Sequence, residues 1–161
     1  MLVGLKEILA LAQAGGYAIP AFNVYNMETV IGCITAAEDL HAPVILQTYS
    51  RLFKEGSGYY LAPSVLAAAK KAKVPVCFHL DHGASELETT RALRYGCTGV
   101  MIDASAMDFD RNVELTRKVV EAANYVEVTV EGELGHVGTV NDGCMDEFTE
   151  PVEAKCFVEG T

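Results

Sequence analysis

The sequence predicts an α/β protein, a parallel (β/α)8 or TIM barrel with about the first five βα units present in this chain. Three observations lead there. Apolar strand-like runs alternate with amphipathic helical stretches from end to end, as in successive strand–helix–strand units. The later strand-like runs are two-faced, aliphatic on one parity and polar on the other. Their acidic residues collect at the carboxyl ends, where the catalytic groups of such barrels sit.

An amphipathic helix opens the chain over residues 4–14, and a first strand follows at 18–24. Pro20 removes a ladder donor there and is awkward inside a central strand, which counts against this first element. A helix over 27–40 is supported by Val30, Ile31, Ile34 and Ala37, which recur at helical spacing. The second strand spans 43–48, and a helix near 63–72 leads to the third strand at 74–80. Ser85 and Glu88 form a capping box at the start of a helix over 85–95, which Gly96 closes. The fourth strand then begins at once, over 98–103, and a helix over 110–123 precedes the fifth strand at 125–131. A last helix runs over 151–159. No linker, low-complexity tract or charge run divides the chain, so residues 1–161 are expected to form a single partial-barrel domain. Five strands do not close a barrel of eight, so strands one and five are expected as open edges. The C-terminal strands are expected to be absent, with Gly160-Thr161 reading as an interruption.

Alternate residues of a strand face opposite sides of the sheet. In the third strand Val76, Phe78 and Leu80 oppose Cys77, His79 and Asp81; in the fourth, Val100 and Ile102 oppose Met101, Asp103 and Ser105. In the fifth, Val126, Val128 and Val130 oppose Glu127, Thr129, Glu131 and Glu133. If the aliphatic sides pack under the helices, the polar sides of three successive strands line the barrel.

Composition narrows the function classes. Half of the residues are hydrophobic, enough for a sizeable core. Twenty-two acidic against 12 basic residues give a formal net charge of -10, the wrong sign for a phosphate backbone, and nucleic acid is not expected as a partner. No apolar run reaches the roughly 20 residues of a membrane span, and Met1-Leu2-Val3-Gly4 lacks the basic start of a signal peptide. The five cysteines are scattered, without a CxxC pair, as expected of reduced thiols in a cytoplasmic protein.

Asp81, His82, Asp103, Ser105, Glu131 and Glu133 occupy the carboxyl ends of strands three to five. Any one of them alone reads as a cap for the helix that follows. Together they place several carboxylates close enough to repel one another, and a divalent cation relieves that repulsion. A histidine beside the acids suits zinc.

The segments His79-Leu80-Asp81-His82-Gly83, Val100-Met101-Ile102-Asp103-Ala104-Ser105 and Val130-Glu131-Gly132-Glu133-Leu134-Gly135, in this order and spacing, resemble class II fructose-bisphosphate aldolases and the related tagatose-bisphosphate aldolases. The resemblance extends to Ala21-Phe22-Asn23-Val24 and Ala42-Pro43-Val44-Ile45, and so to nearly the whole chain. It implies a metal-dependent aldehyde-lyase that cleaves a ketose 1,6-bisphosphate, most simply fructose 1,6-bisphosphate, to dihydroxyacetone phosphate and glyceraldehyde 3-phosphate through a zinc-stabilised enediolate. Asp81 matches the acid that protonates the nascent alkoxide, and His82 the first of three histidines on the catalytic zinc. Asp103 and Glu133 match the acids of a second metal position. Asn23 matches a substrate-holding asparagine, and Ser50 stands near the family's small hydroxyl residue after strand two, where Tyr49-Ser50 alters the usual placement. The resemblance also implies a role in glycolytic carbohydrate metabolism and a homo-oligomeric enzyme. Lys6, Lys54, Lys70, Lys71, Lys73, Lys118 and Lys155 lie mostly in expected helices or their flanks, which argues against a lysine Schiff base.

The pattern also has departures. Of four histidines only His82 falls on a family metal position, so the catalytic zinc site is incomplete within these residues. His41 reads as a helix C-terminal residue, His79 as an inward-facing support, and His136 as a residue that matches no family ligand. Asn141-Asp142 stands where the family has a glutamate before an aspartate, and Ala106 where many relatives have a histidine. Gly83 directly after His82 leans toward the fructose over the tagatose substrate. Two further readings stand beside the aldolase: a catalytically silent half-barrel serving as an interaction module, and another metal-dependent barrel enzyme acting on a sugar phosphate.

Overall fold

A computed structural model describes residues 1–135 and 148–161. Five parallel strands form one sheet in the order β1-β2-β3-β4-β5, each paired with its neighbour in sequence. The strands are β1 (Ala21–Asn23), β2 (Val44–Tyr49), β3 (Val76–Gly83), β4 (Gly99–Ile102) and β5 (Thr129–Gly132). Parallel neighbours need crossover connections, which helices provide here. The helices are α1 (Leu5–Gly15), α2 (Met27–Asp39), α3 (Ser50–Glu55), α4 (Gly58–Lys71), α5 (Glu86–Arg94), α6 (Phe109–Asn124) and α7 (Pro151–Gly160).

The parity expectation holds for the central strands. Val76, Phe78, Leu80, Val100 and Ile102 are buried in the main core with Leu46 of β2, Val65 of α4 and Ala92 of α5, between sheet and helices. The opposite face carries a smaller apolar cluster, in which Leu5 and Ile8 of α1 meet Ile45 and Cys77. Thus α1 lies across the inner face, tied down where the Leu5 N–H donates to the Thr98 carbonyl and the Val3 N–H to that of Val76. Above it an open trough is lined by Ala21, Ile45, Gln47, His79, Thr129 and Glu131.

The structure corrects several boundaries. β1 is three residues long, and Pro20 lies just before it. Lacking an N–H, Pro20 still accepts a hydrogen bond from Ile45 at 3.0 Å through its carbonyl, so it seeds the ladder without interrupting it. β5 starts at Thr129, because Val126 and Glu127 turn back onto the end of α6 and Glu127 has a φ of 58°. Val126 is consequently exposed, while Val128 and Val130 pack against the core. The short α3 was not foreseen, and α4 begins at Gly58, a full turn before the expected start at Pro63. At α5 Ser85 caps the Glu88 N–H as expected, but the Glu88 carboxylate reaches back to the N–H of Ala84. Gly96, with a φ of 91°, ends that helix.

Candidate metal centre at the carboxyl ends of the strands

The site grows from an irregularity at the end of β3. Leu80 pairs with Val100 and Gly83 with Ile102, so three steps along β3 match two along β4. One residue is extra, and such a bulge re-aims side chains that strict alternation would send to opposite faces. His82 takes up the difference with a φ of 49°, a left-handed conformation that costs a non-glycine residue about 1–3 kcal/mol. Close packing fixes the next residue: a Cβ at Gly83 would stand 2.5 Å from the Met101 carbonyl oxygen and 2.7 Å from a Leu80 methyl. Glycine at 83 therefore has a steric reason that is independent of any substrate.

With the chain bent this way, His82 Nδ1 lies 2.9 Å from Asp103 Oδ2 and 3.4 Å from Glu133 Oε2. Asp103 directly follows β4, and its N–H donates to the Gly83 carbonyl at 2.8 Å. Its other carboxylate oxygen accepts from the Ser105 N–H at 3.1 Å and the Ser105 hydroxyl at 2.7 Å. Burial pushes the Asp103 carboxyl up, but the hydrogen bonds from His82 and Ser105 outweigh it and hold the group below its ordinary range. At His82 burial favours the neutral ring, yet the Asp103 hydrogen bond and the charges of Asp81, Glu133 and Asp103 prevail and raise its pKa.

Asp81 stands on the same rim. Asn23, the last residue of β1, donates from Nδ2 to Asp81 Oδ2 at 3.0 Å, across the end of the intervening β2. The Asn23 Oδ1 is buried and, among the described residues, has no hydrogen-bond partner. Asn23 therefore holds one carboxylate oxygen of Asp81 and keeps an acceptor in reserve.

Below this rim His79 is buried at 3% exposure, with Nε2 3.3 Å from Glu131 Oε2 but not aligned for a hydrogen bond. Burial pushes its pKa down to about 4, against an opposing pull from Asp81, so the ring is neutral near pH 7. The Glu131 carboxyl is shifted up, first by burial, then by the negative charges of Asp81 and Glu133, which exceed the opposite effect of His82.

Of the six residues to which the resemblance gives a role, the structure brings together five: Asn23 with Asp81, and His82 with Asp103 and Glu133. One donor atom from each of His82, Asp103 and Glu133 lies within 4.8 Å of the others. One imidazole nitrogen and two carboxylate oxygens suit a divalent ion such as zinc. The sixth residue, Ser50, opens α3 at the end of β2 and is buried; among the described residues it makes no hydrogen bond to Asp81 or His82. His41 ends α2 as expected, its Nδ1 2.8 Å from the Glu38 carbonyl oxygen. His136, Asn141 and Asp142 lie outside the described residues.

Asn112 and Thr116 were missed in the sequence. Both are buried on α6, and the Asn112 amide donates to the Glu133 carbonyl at 2.8 Å. A signal was present: Asn112, Thr116, Val119 and Ala123 form one helical stripe, so two polar residues share the buried face.

Comparison with known proteins gives the family and the fold. Residues 3–161 match the family described as fructose-bisphosphate aldolase class-II. The chain is 46% identical to the fructose-bisphosphate aldolase of Thermus caldophilus, over all of this chain and 54% of that protein. It is 37% identical to the plasmid fructose-bisphosphate aldolase of Cupriavidus necator, over 99% of this chain and 53% of that one. Among solved structures, the YdjI aldolase of Escherichia coli K12 superposes with a TM-score of 0.88 at 37% identity, covering 100% of this chain and 62% of that one. The chain therefore spans about half the length of the curated relatives it matches, and its parallel sheet is the N-terminal part of their TIM barrel.

Proposed function

This chain belongs to the class II fructose-bisphosphate aldolase family, and from that premise we propose that, together with the remaining barrel strands, it cleaves fructose 1,6-bisphosphate to dihydroxyacetone phosphate and glyceraldehyde 3-phosphate. The observation that carries this reading is the adjacency made by the β3 bulge. Asp81, held by Asn23, and His82, held by Asp103 and beside Glu133, come from consecutive residues yet serve one rim.

Asp81 manages the proton of the hydroxyl at the bond being broken, as a carboxyl group on this rim is suited to do. Asn23 orients that carboxylate through Nδ2 and offers its unpartnered Oδ1 to a substrate hydroxyl. Ser50, at the end of β2, is proposed as a further substrate contact. His82, Asp103 and Glu133 are the zinc-binding residues, with Asp103 and Glu133 able to serve a second divalent metal position. Zinc held there would supply Lewis acidity at the ketone oxygen and stabilise the negative charge left on the three-carbon ketone fragment. The reading includes a glycolytic, cytoplasmic homo-oligomer with a phosphorylated ketose as its small-molecule partner. Among the described residues no helix is long and apolar enough to cross a membrane.

The test is fructose 1,6-bisphosphate cleavage by this chain mixed with the C-terminal part of the Thermus caldophilus relative, with zinc and again with a chelator. Zinc-dependent turnover that disappears in Asp81→Ala is expected. Turnover that survives either the chelator or the substitution overturns the assignment.

A further inference from the structure

The polar pair on α6 has no part in the chemistry above, yet Asn112 touches Glu133 of the candidate metal cluster. Asn112 and Thr116 lie one helical turn apart and are each 2% exposed. An amide and a hydroxyl buried at such positions lower stability unless they are hydrogen-bonded, and an aliphatic residue would pack there with less penalty. Both are bonded, and the bonds run in one direction. Thr116 Oγ1 donates to Asn112 Oδ1 at 3.2 Å, which turns the amide nitrogen outward, and that nitrogen donates to the Glu133 carbonyl at 2.8 Å.

The location matters because the ladder between β4 and β5 ends at the pairing of Ile102 with Gly132. Glu133 directly follows that last pair. The strand end is also pressed onto the helices: a Cβ at Gly132 would lie 2.7 Å from the Phe157 ring and 3.4 Å from the Thr116 methyl. The Thr116 side chain thus packs under the strand end through its methyl group and orients Asn112 through its hydroxyl.

We propose that Asn112, oriented by Thr116, is a positioning residue that fixes the backbone of Glu133 and so holds its carboxylate beside His82 and Asp103 for metal binding. The proposal rests on the metal-binding reading of that cluster. Asn112 does not touch the metal; it limits how far the Glu133 carboxylate can drift from the other two ligands. Removing such outer partners of a metal ligand weakens metal affinity by about 10- to 100-fold.

The experiment is calorimetric titration of Zn2+ into the 161-residue chain mixed with the C-terminal part of the Thermus caldophilus relative, following the binding component that Glu133→Gln removes. Asn112→Leu keeps the packing and deletes the donor, and is expected to weaken that component by about 10- to 100-fold. Thr116→Val keeps the shape and deletes the orienting hydroxyl, with an expected loss of about 2- to 10-fold for one neutral hydrogen bond. Val119→Ala, a core truncation on the same helix, is expected to lower the unfolding midpoint while leaving Zn2+ affinity unchanged. Asn112→Leu binding within twofold of the unsubstituted chain overturns the proposal, and so does an equal loss in Val119→Ala. Should Asn112→Leu fail to fold, Thr116→Val decides by the same criterion. If the unsubstituted assembly shows no Glu133-dependent Zn2+ binding, the metal reading itself falls and takes the proposal with it.

Discussion

Asn23 and Asp81, 58 residues apart in sequence, are joined by a 3.0 Å hydrogen bond across the end of the strand between them. The bond fixes one oxygen of the carboxylate proposed to manage the substrate hydroxyl proton. In the assembled barrel Asp81→Ala is expected to lower turnover by about 100- to 10,000-fold, the usual contribution of a positioned acid or base, while zinc affinity stays largely intact. Asn23→Ala is expected to lower kcat/KM by about tenfold or more, as for one hydrogen bond to a charged group. Steady-state kinetics on both variants checks this, and full activity in Asp81→Ala would remove that residue from the mechanism.

Zinc is expected to stabilise the chain itself. A ligand at about 100 times its Kd adds roughly 2.7 kcal/mol to the native state, which for a protein of this size raises the unfolding midpoint by about 5–10 °C. A chelator should reverse the rise, and Asp103→Ala should abolish it. A midpoint in Asp103→Ala that climbs with zinc as steeply as in the parent chain would place the ion elsewhere.

The buried His79 gives acid sensitivity of a definite sign. Its folded pKa of about 4 lies below the ordinary 6.5, so between those values the unfolded chain binds more protons and stability falls as pH falls. The loss is on the order of 3 kcal/mol, complete near pH 4. Glu131, shifted upward, opposes it in the same region. The raised pKa of His82 stabilises the fold at low pH, and that contribution is lost as pH rises above 6.5 through its folded value. Urea unfolding at pH 7 and 4.5 should therefore show a smaller difference in His79→Leu than in the parent chain, and identical differences would show that His79 is not the cause.

Association is the expected behaviour of the chain alone. β1 and β5 end the sheet among the described residues, and unpaired strand edges template contacts with other chains. Phe22 on β1 is 48% exposed, which adds apolar area at that edge. Sedimentation velocity should reveal dimers or larger species; a sharp monomer boundary at all concentrations would contradict this.

Much of the site was legible because its residue types are unusual where they stand. Asp81, Asp103 and Glu133 follow aliphatic runs at strand ends, and His82 follows an acid, so motif and position agree. Alternation alone would have sent His82 away from Asp81, and the bulge that reverses this depends on pairing with β4. The six residues of α3 were missed because so short a helix carries too little periodicity to register. Ser50 stands in sequence as a substrate contact after strand two, and the turn into α3 buries it. Asn112 and Thr116 escaped notice because polar residues on an amphipathic helix are ordinarily assigned to its solvent face.

By itself the sequence determined the succession of strands and helices apart from α3, which side of each central strand faces the helices, and which residues gather at the strand ends. These follow from short-range geometry, the two-residue period of a strand and the 3.6-residue period of a helix. The tertiary structure alone decided that Asn23 meets Asp81, that His82 turns back toward Asp103 and Glu133, and that Asn112 holds the Glu133 carbonyl. Each of those contacts joins segments about 20 to 60 residues apart, and its geometry is set by strand register and by the packing of α6 against β5, which no local pattern encodes.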